Sequence, residues 1–232
     1  MKRIKKILYV IMFLFIDVLL CASLYFIIDA ANINNLKKEV KELTNLNMSI
    51  DRYNRKNKTI FKYKVVETTI KDYFDSFTVR MNDIYNIVND EDFIKILSYD
   101  NYLNDGPEFN NSINYINDNK KRFNDIVDEM IYDLDENNIK ELIRKKISDE
   151  YYISLYDKMI FNEDFVKQYE ENRVLLDEIK NKYNNRFDVC LEIINFLRLY
   201  KDNWKLEDGE IKFSNEDLYN YYSILISKVN SK

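Results

Sequence analysis

The side chains that could carry acid–base chemistry in this chain are carboxylates and tyrosines, because none of its 232 residues is histidine. Serine or cysteine nucleophiles activated by histidine are therefore excluded within the chain, and so is histidine ligation of a metal ion. Two cysteines occur, Cys21 in an apolar run and Cys190 on an apolar helix face. A free cysteine packs as a small hydrophobe, so we expect Cys190 to lie in the core.

Acidic residues form short clusters, and two kinds of site would need them. A glycoside hydrolase places two carboxyl groups across a cleft, and a calcium site takes several oxygen ligands from one loop. The clusters lie at residues 90–92, 133–136, 149–150, 163–164 and 216–217. Each lies where a predicted helix begins, and acidic side chains there cap free N–H groups and complement the helix dipole. We interpret them as caps, and we expect no catalytic residues, no metal and no cofactor.

Aromatic residues are dense in two regions, at Tyr99, Tyr102, Phe109 and Tyr115, and again at Trp204, Phe213, Tyr219, Tyr221 and Tyr222. Within these regions, two stretches depart from helical periodicity and are predicted as a loop at 101–109 and a hairpin at 204–213. The first contains the only proline and one of two glycines, and the second alternates about Asp208-Gly209, a strong hairpin signal. Tyrosine and tryptophan are enriched at recognition surfaces, and loops on rigid scaffolds often carry function. The candidate surface-binding residues are Tyr102, Asp105, Gly106, Pro107, Phe109 and Trp204. The alternative is that these aromatic residues pack in the core.

The element that must position all of these residues is an apolar run at residues 7–28, which contains one charge. A hydrocarbon core of about 30 Å requires roughly 20 such residues in a helix. We predict a transmembrane helix that acts as an uncleaved signal-anchor, because the h-region of a signal peptide is only about 7–15 residues long. Signal cleavage and lipidation at Cys21 are the alternatives.

Orientation follows from the lysines and arginines that flank the span. Four bases precede the run, whereas Asp29 opens the far side and no base occurs there before Lys37. We therefore expect residues 1–6 in the cytoplasm and the rest of the chain on the extracytoplasmic side of the cell membrane.

Asp17 lies in the middle of the predicted span. A carboxylate there costs roughly 2.5–3.5 kcal/mol on insertion scales and is usually functional. Cys21 and Tyr25 follow it at helical spacing on the same face. These three residues are the candidate contact with another membrane subunit; the alternative is a protonated aspartate in an otherwise apolar span.

Composition predicts an all-α fold. Hydrophobic residues make up 46% of the chain, while two glycines and one proline are too few for the turns of an all-β protein. After the anchor we expect a short helical stalk at residues 29–60 and an antiparallel helical bundle at 61–232 with a β-hairpin at 204–213. The clearest helix runs over 61–88. Apolar residues at coiled-coil spacing in the stalk leave open a homodimer; they are Ile33, Leu36, Val40, Leu43 and Ile50.

Charge divides the chain beyond the anchor. Residues 29–66 carry nine bases and four acids, whereas residues from 67 onward carry 22 bases and 35 acids. A basic segment next to a span can lie against anionic headgroups. An acidic body argues against binding to nucleic acid, which requires a basic face.

Two phrases of the sequence, LSYDNYLNDGPEFNNSINYI and NWKLEDGEIKFSNEDLYNYY, resemble those of uncharacterised single-pass, membrane-anchored helical proteins of AT-rich, low-GC Gram-positive bacteria. The resemblance implies a place in the cell envelope and no particular activity. We expect a membrane-anchored extracytoplasmic interaction protein without catalytic activity, which binds a protein or an envelope component. The alternatives are a carboxylate-dependent cell-envelope enzyme and a dimeric sensor or assembly factor.

Overall fold

The computed structural model describes residues 2–45 and 56–230. It confirms an all-α fold with one small hairpin. The elements, in chain order, are helices α1 (Lys2–Asn45), α2 (Phe61–Val88), α3 (Glu91–Lys95), α4 (Tyr99–Asp105), α5 (Asn110–Asp133), α6 (Glu136–Arg144), α7 (Glu150–Ile160) and α8 (Glu163–Leu199), strands β1 (Trp204–Glu207) and β2 (Glu210–Phe213), and helix α9 (Glu216–Asn230).

The chain divides into two units. Unit 1 comprises Met1–Ser76 and Ile139–Val166, and unit 2 comprises Phe77–Asn138 and Lys167–Lys232. Helices α2 and α8 each contribute residues to both.

In unit 1, helix α1 is continuous over 44 residues, a length of about 66 Å at 1.5 Å per residue. It is the one helix among the described residues that is long and apolar enough to cross a membrane. The predicted span and the first part of the predicted stalk therefore form a single helix. Residue Ile50 of the stalk lies outside the described residues.

The part of α1 beyond the apolar run belongs to the core of unit 1. Leu36, Val40 and Leu43 are buried, and α1 packs on α7. Three of the apolar residues that predicted a coiled coil are thus covered within the chain itself. The core of the unit also contains Val66 and Ile70 of α2.

In unit 2, helices α5 and α8 run antiparallel, as three side-chain pairs show. Along α5 the residue number rises by four from pair to pair, while along α8 it falls by four. The pairs are Lys120 with Asp188, Asn124 with Asn184, and Asp128 with Lys180. Between the helices lies an aromatic and aliphatic core that includes Phe123, Phe187 and Ile193. Cys190 is buried in this core, as predicted.

Three of the predicted helix caps are confirmed. Asp90 and Asp149 accept hydrogen bonds from the backbone N–H groups of Asp92 and Tyr151. Asp135 accepts from the N–H of Asn137 at 2.9 Å. Carboxylates at these positions satisfy donors that the first helical turn leaves without a partner.

The predicted loop at residues 101–107 is wrong over most of its length, because α4 occupies Tyr99–Asp105. Helix α4 has no periodic apolar stripe in the sequence, because Tyr102 is its only buried residue. The Ser98 side chain caps this helix. Pro107 would suit the first turn of a helix, where its missing N–H is tolerated, but it is preceded by a cis peptide bond and lies before α5. The predicted hairpin is confirmed, with Trp204 paired to Phe213 and Glu207 to Glu210.

Candidate functional site

The structure brings the six candidate surface-binding residues of the sequence together in unit 2, where α4 contacts β1. The rings of Tyr102 and Phe109 lie edge to face with centroids 5.8 Å apart, and Phe109 lies 6.0 Å from Trp204. Gly106 lies between them. A Cβ atom on Gly106 would lie 3.1 Å from Phe109 and 3.2 Å from Trp204, so only glycine fits this approach without displacement.

Most polar groups of this cluster are bound within the chain. Tyr102 is 4% exposed, and its hydroxyl lies 3.0 Å from that of Tyr222. Burial raises the pKa of Tyr102 above its ordinary range, so its hydroxyl stays protonated. The Trp204 Nε1–H donates to the carbonyl oxygen of Leu197 at 2.7 Å.

Asp105 holds the start of α5. Its carboxylate accepts hydrogen bonds from the backbone N–H of Ser112 at 2.7 Å and from the Ser112 hydroxyl at 2.6 Å. Burial raises the pKa of Asp105, but these hydrogen bonds outweigh it and leave the pKa below its ordinary value. Phe109 is fully buried, and Pro107 remains exposed. The cluster is a packed junction between α4, α5 and the hairpin.

Of the three candidate membrane-contact residues, Asp17 and Cys21 are exposed on α1. Tyr25 is exposed too, and it lines a cleft of about 960 Å³ in unit 1. We call this cavity the juxtamembrane cleft, because it begins at the last turn of the apolar run for which the sequence predicts a membrane span. Its walls come from α1, the first turns of α2 and the start of α7; they are Tyr25, Ile28, Asp29, Phe61, Lys62, Tyr63, Val65, Asp149, Tyr151 and Tyr152.

The polar centre of the cleft is the Asp29 carboxylate. It accepts hydrogen bonds from the hydroxyl of Tyr151 at 2.9 Å and from that of buried Tyr63. The two hydroxyl oxygens lie 3.3 Å apart. Burial, and then the hydrogen bond to Asp29, raises the pKa of Tyr151 to about 12, so this hydroxyl is a donor at neutral pH.

An ion pair between Lys62 and Asp149 lines one side of the cleft. The Lys62 Nζ lies 2.7 Å from the Asp149 carboxylate and 5.6 Å from the centroid of the Tyr152 ring. The hydrogen bond that Lys62 donates to Asp149 raises the pKa of Lys62 and lowers the pKa of Asp149. The ring of Tyr152 also packs edge to face on Tyr63, with centroids 4.9 Å apart.

Farther along α1, a buried charged cluster joins α1, α2 and the segment between them. The Glu67 carboxylate accepts from the backbone N–H groups of Lys58 and Thr59 at 2.9 and 2.8 Å, and from the Thr59 hydroxyl at 2.6 Å. The Lys71 Nζ lies 2.6 Å from Glu67 and 3.5 Å from Glu39. Lys58 lies 2.7 Å from Glu39. This network fixes the start of α2 against α1.

The juxtamembrane cleft can bind through ring faces, apolar side chains and lysine. Both of its carboxylates already accept hydrogen bonds from side chains of the unit. Among the residues that the structure describes, no group of three or more potential ligands could hold a metal ion. Comparisons with protein-family models, with curated proteins and with solved structures gave no match.

Sequence reasoning missed this cleft, because its residues are far apart in the chain. Asp29 was treated only as the end of the apolar run, yet Tyr63 and Tyr151 meet on it from α2 and α7. The sequence does contain one indication of packing at this helix. Asn32 and Glu39 are polar residues that interrupt the apolar stripe of α1, and both are buried. A buried polar residue requires a partner, so such interruptions predict that another segment packs there.

Proposed function

We propose that this protein is a single-pass membrane protein whose helix α1 anchors it in the cell membrane. Its helical body lies on the extracytoplasmic side and acts by binding a protein or an envelope component, without catalysis. The observation that carries the proposal is the continuity of α1, which runs from the apolar segment into the core of unit 1 without a break. A body attached in this way is held at the bilayer surface.

The exposure pattern along α1 supports the anchor. From Phe15 to Ile28 the large apolar side chains are exposed, and from Asn32 onward the helix alternates buried and exposed positions. A run of exposed leucine, isoleucine and phenylalanine is unfavourable in water and favourable in lipid.

Two observations support binding rather than catalysis. The acidic clusters at Asp90, Asp135 and Asp149 serve as helix caps. Unit 2 in turn has a shallow groove between the end of α8 and α9, and its lining includes the exposed side chains of Leu199 and Tyr221. Exposed apolar patches of this kind are typical of interaction surfaces.

Protease accessibility tests the location of the body. A tag placed after Lys232 should be digested in cells stripped of wall but with intact membranes, whereas a tag placed before Met1 should be protected. The protein should also stay in the membrane pellet after alkaline carbonate washing. Release by carbonate would overturn the anchor, and protection of the tag after Lys232 would overturn the orientation.

The proposal also gives Asp17 a role, as the group that pairs with a hydrogen-bond donor or a base of another membrane subunit. Asp17→Leu should then shift the protein to a smaller complex on native gels of membranes solubilised in mild detergent. Asp17→Asn keeps hydrogen bonding without charge and should retain part of the larger complex. An unchanged complex in Asp17→Leu would remove this role.

A further inference from the structure

We propose that one face of unit 1, formed by Ile60, Phe61, Lys64, Tyr151 and Lys56, lies in the headgroup layer of the bilayer and binds its anionic lipids. We call it the juxtamembrane face. The inference rests on the proposed function, because it requires that α1 crosses the membrane. It adds a second lipid contact, which lies outside the span.

The depth of this face follows from its contacts with α1. The Ile60 N–H donates to Asn32 Oδ1 at 3.0 Å, and the Asn35 side chain donates to the Lys58 carbonyl at 3.0 Å. Asn32 lies four residues beyond Ile28, a rise of about 6 Å along the helix. An interfacial segment lies about 5–10 Å deep in the headgroup and acyl boundary. The start of α2 is therefore fixed at the level of the headgroups.

The residues that line the juxtamembrane cleft indicate the same depth for the juxtamembrane face. Phe61 and Tyr151 line the cleft together with Tyr25 and Ile28, which belong to the last turn of the apolar run. If residues 7–28 span the membrane, side chains that contact Tyr25 and Ile28 cannot lie far from the hydrocarbon boundary. Tyrosines at this level match the aromatic belt of membrane proteins.

The face exposes large apolar groups where a soluble protein would bury them. Phe61 is 75% exposed, Ile60 49% and Tyr151 46%. Phe61 also has a φ of +54°, in the left-handed region that bulky residues rarely adopt. Hydrogen bonds from Lys58 and Thr59 to Glu67 hold the preceding segment in place.

The charges beside these groups are positive. Lys56 and Lys64 are exposed, and they line a shallow cavity of about 570 Å³ together with Ile60 and Phe61. Asp29 and Asp149 of the adjoining cleft are bound by donors of unit 1, and the two lysines leave the face net positive beside the exposed Glu150. Lysine next to exposed aromatic residues matches a surface of anionic lipid.

Fluorescence quenching in vesicles tests the inference with the full chain. Phe61→Trp adds an indole to a protein that has one native tryptophan, Trp204, whose quenching in the parent protein is subtracted. The vesicles contain phosphatidylglycerol and phosphatidylcholine with acyl chains brominated near the headgroup. We expect the added tryptophan to be quenched at least about twofold more strongly than one placed at Tyr85, another exposed aromatic residue of α2, and to emit at shorter wavelength.

Tyr151→Trp provides a second reporter on the same face, with helix content checked by circular dichroism. If both variants fold and neither is quenched more than Tyr85→Trp, the face lies in water and the inference is overturned. Flotation with vesicles and resistance to carbonate are measured on the same samples. A protein that does not float fails the proposed function, whereas a floating protein with unquenched reporters fails only the inference.

The lipid class is tested by charge. In the Phe61→Trp protein, Lys56→Gln with Lys64→Gln should weaken quenching in phosphatidylglycerol vesicles and leave it unchanged in vesicles of phosphatidylcholine alone. Lys180→Gln, which alters a lysine of unit 2, is the control and should have no effect in either. Equal quenching in both lipids, with or without the two lysines, would overturn anionic recognition. Protection of the reporters by a copurifying protein would identify a protein occupant instead.

Discussion

At the scale of single residues, Gly106 lies where the chain has no room for a side chain. A methyl group there would overlap the carbonyl oxygen of Tyr102 and press on Phe109 and Trp204. Because backbone and two large rings cannot all move away, we expect Gly106→Ala to lower the free energy of unfolding by about 1–3 kcal/mol. Thermal unfolding of the detergent-solubilised protein, followed by circular dichroism, measures the loss.

Gly209 is the control for this prediction, because it has open space but a φ of +82°. Gly209→Ala should cost about 1 kcal/mol through backbone strain alone. Gly209→Asn should cost less, since asparagine tolerates the left-handed region. A Gly106→Ala protein as stable as the parent would show that the packing of α4 against the hairpin is looser than described.

Glu67 is the residue on which the junction of α1 and α2 depends. Burial raises its pKa, but hydrogen bonds from Lys71, from Thr59 and from the N–H of Lys58 outweigh burial and lower the pKa below its ordinary value. The unfolded chain therefore holds the proton more tightly than the folded chain. The stability that Glu67 contributes is complete above the ordinary pKa of about 4.3 and is lost as the pH falls below it.

We expect Glu67→Gln to lose about 2–3 kcal/mol of stability at neutral pH, because the only carboxylate left to pair with Lys71 is then the more distant one of Glu39. The variant should also lose less stability than the parent when the pH falls from about 6 to about 3. Urea unfolding at the two pH values measures both effects. Glu141→Gln, which breaks an exposed pair with Arg144, is the control and should change stability by less than about 0.5 kcal/mol. Parallel pH profiles for Glu67→Gln and the parent would contradict the account.

At the scale of elements, the pairing of α5 with α8 depends on two asparagines. Asn124 and Asn184 exchange two hydrogen bonds of 2.8 Å, at a partly buried point between two ion pairs. Asn124→Ala leaves the Asn184 amide without its partner and should cost about 1–2 kcal/mol. The double variant with leucine at both positions should be close to the parent, because no buried polar group is then left unpaired.

A double-mutant cycle on Asn124 and Asn184, measured by urea unfolding, gives the coupling free energy between the two side chains. The ion pair of Lys120 with Asp188 is more exposed, and Lys120→Ala should cost less than about 1 kcal/mol. If Lys120→Ala cost more than Asn124→Ala, the charged pairs rather than the amides would set the register of the two helices.

The helices and the hairpin show how much of the secondary structure the sequence predicts. The 3–4 spacing of apolar residues predicted α2 at its observed bounds, and Asp208-Gly209 predicted the hairpin. Helix α4 was missed because its seven residues bury only Tyr102, so no periodic stripe exists. Short polar helices depend on caps and tertiary contacts, which periodicity does not report.

The candidate site was less predictable than the elements. The candidate residues Tyr102, Phe109 and Trp204 do meet, but Tyr102 and Phe109 are buried and Trp204 is half-buried, so that they form a packed junction. The juxtamembrane cleft depends on the contacts of Asp29 with Tyr63 and Tyr151, which follow Asp29 by 34 and 122 residues in the chain. Spacing in the sequence contains no information on such long-range contacts.

At the scale of the whole molecule, the second half of α1 joins the apolar segment to the core of unit 1. Its polar face reaches Ile60 and Lys58 through Asn32 and Asn35, and its apolar stripe is buried. Leu36, Val40 and Leu43, three of the residues at coiled-coil spacing, are thus covered within one chain. We therefore expect a monomer once the membrane segment is removed, in contrast to the dimeric sensor considered from the sequence.

Two truncations test this arrangement. A chain that begins at Asp29 keeps all the residues of α1 that are buried within its described part, and it should be folded, water-soluble and monomeric. A chain that begins at residue 46 loses Leu36, Val40 and Leu43, whose burial contributes about 2 kcal/mol each. Their sum of about 6 kcal/mol is comparable with the net stability of a domain, about 5–15 kcal/mol, so this shorter chain should not fold unit 1.

Circular dichroism melts measure the folding of the two truncated chains, and light scattering after gel filtration measures their oligomeric state. A dimer of the chain from Asp29 would show that α1 pairs between copies, and equal melts for the two truncations would show that α1 is dispensable to the body.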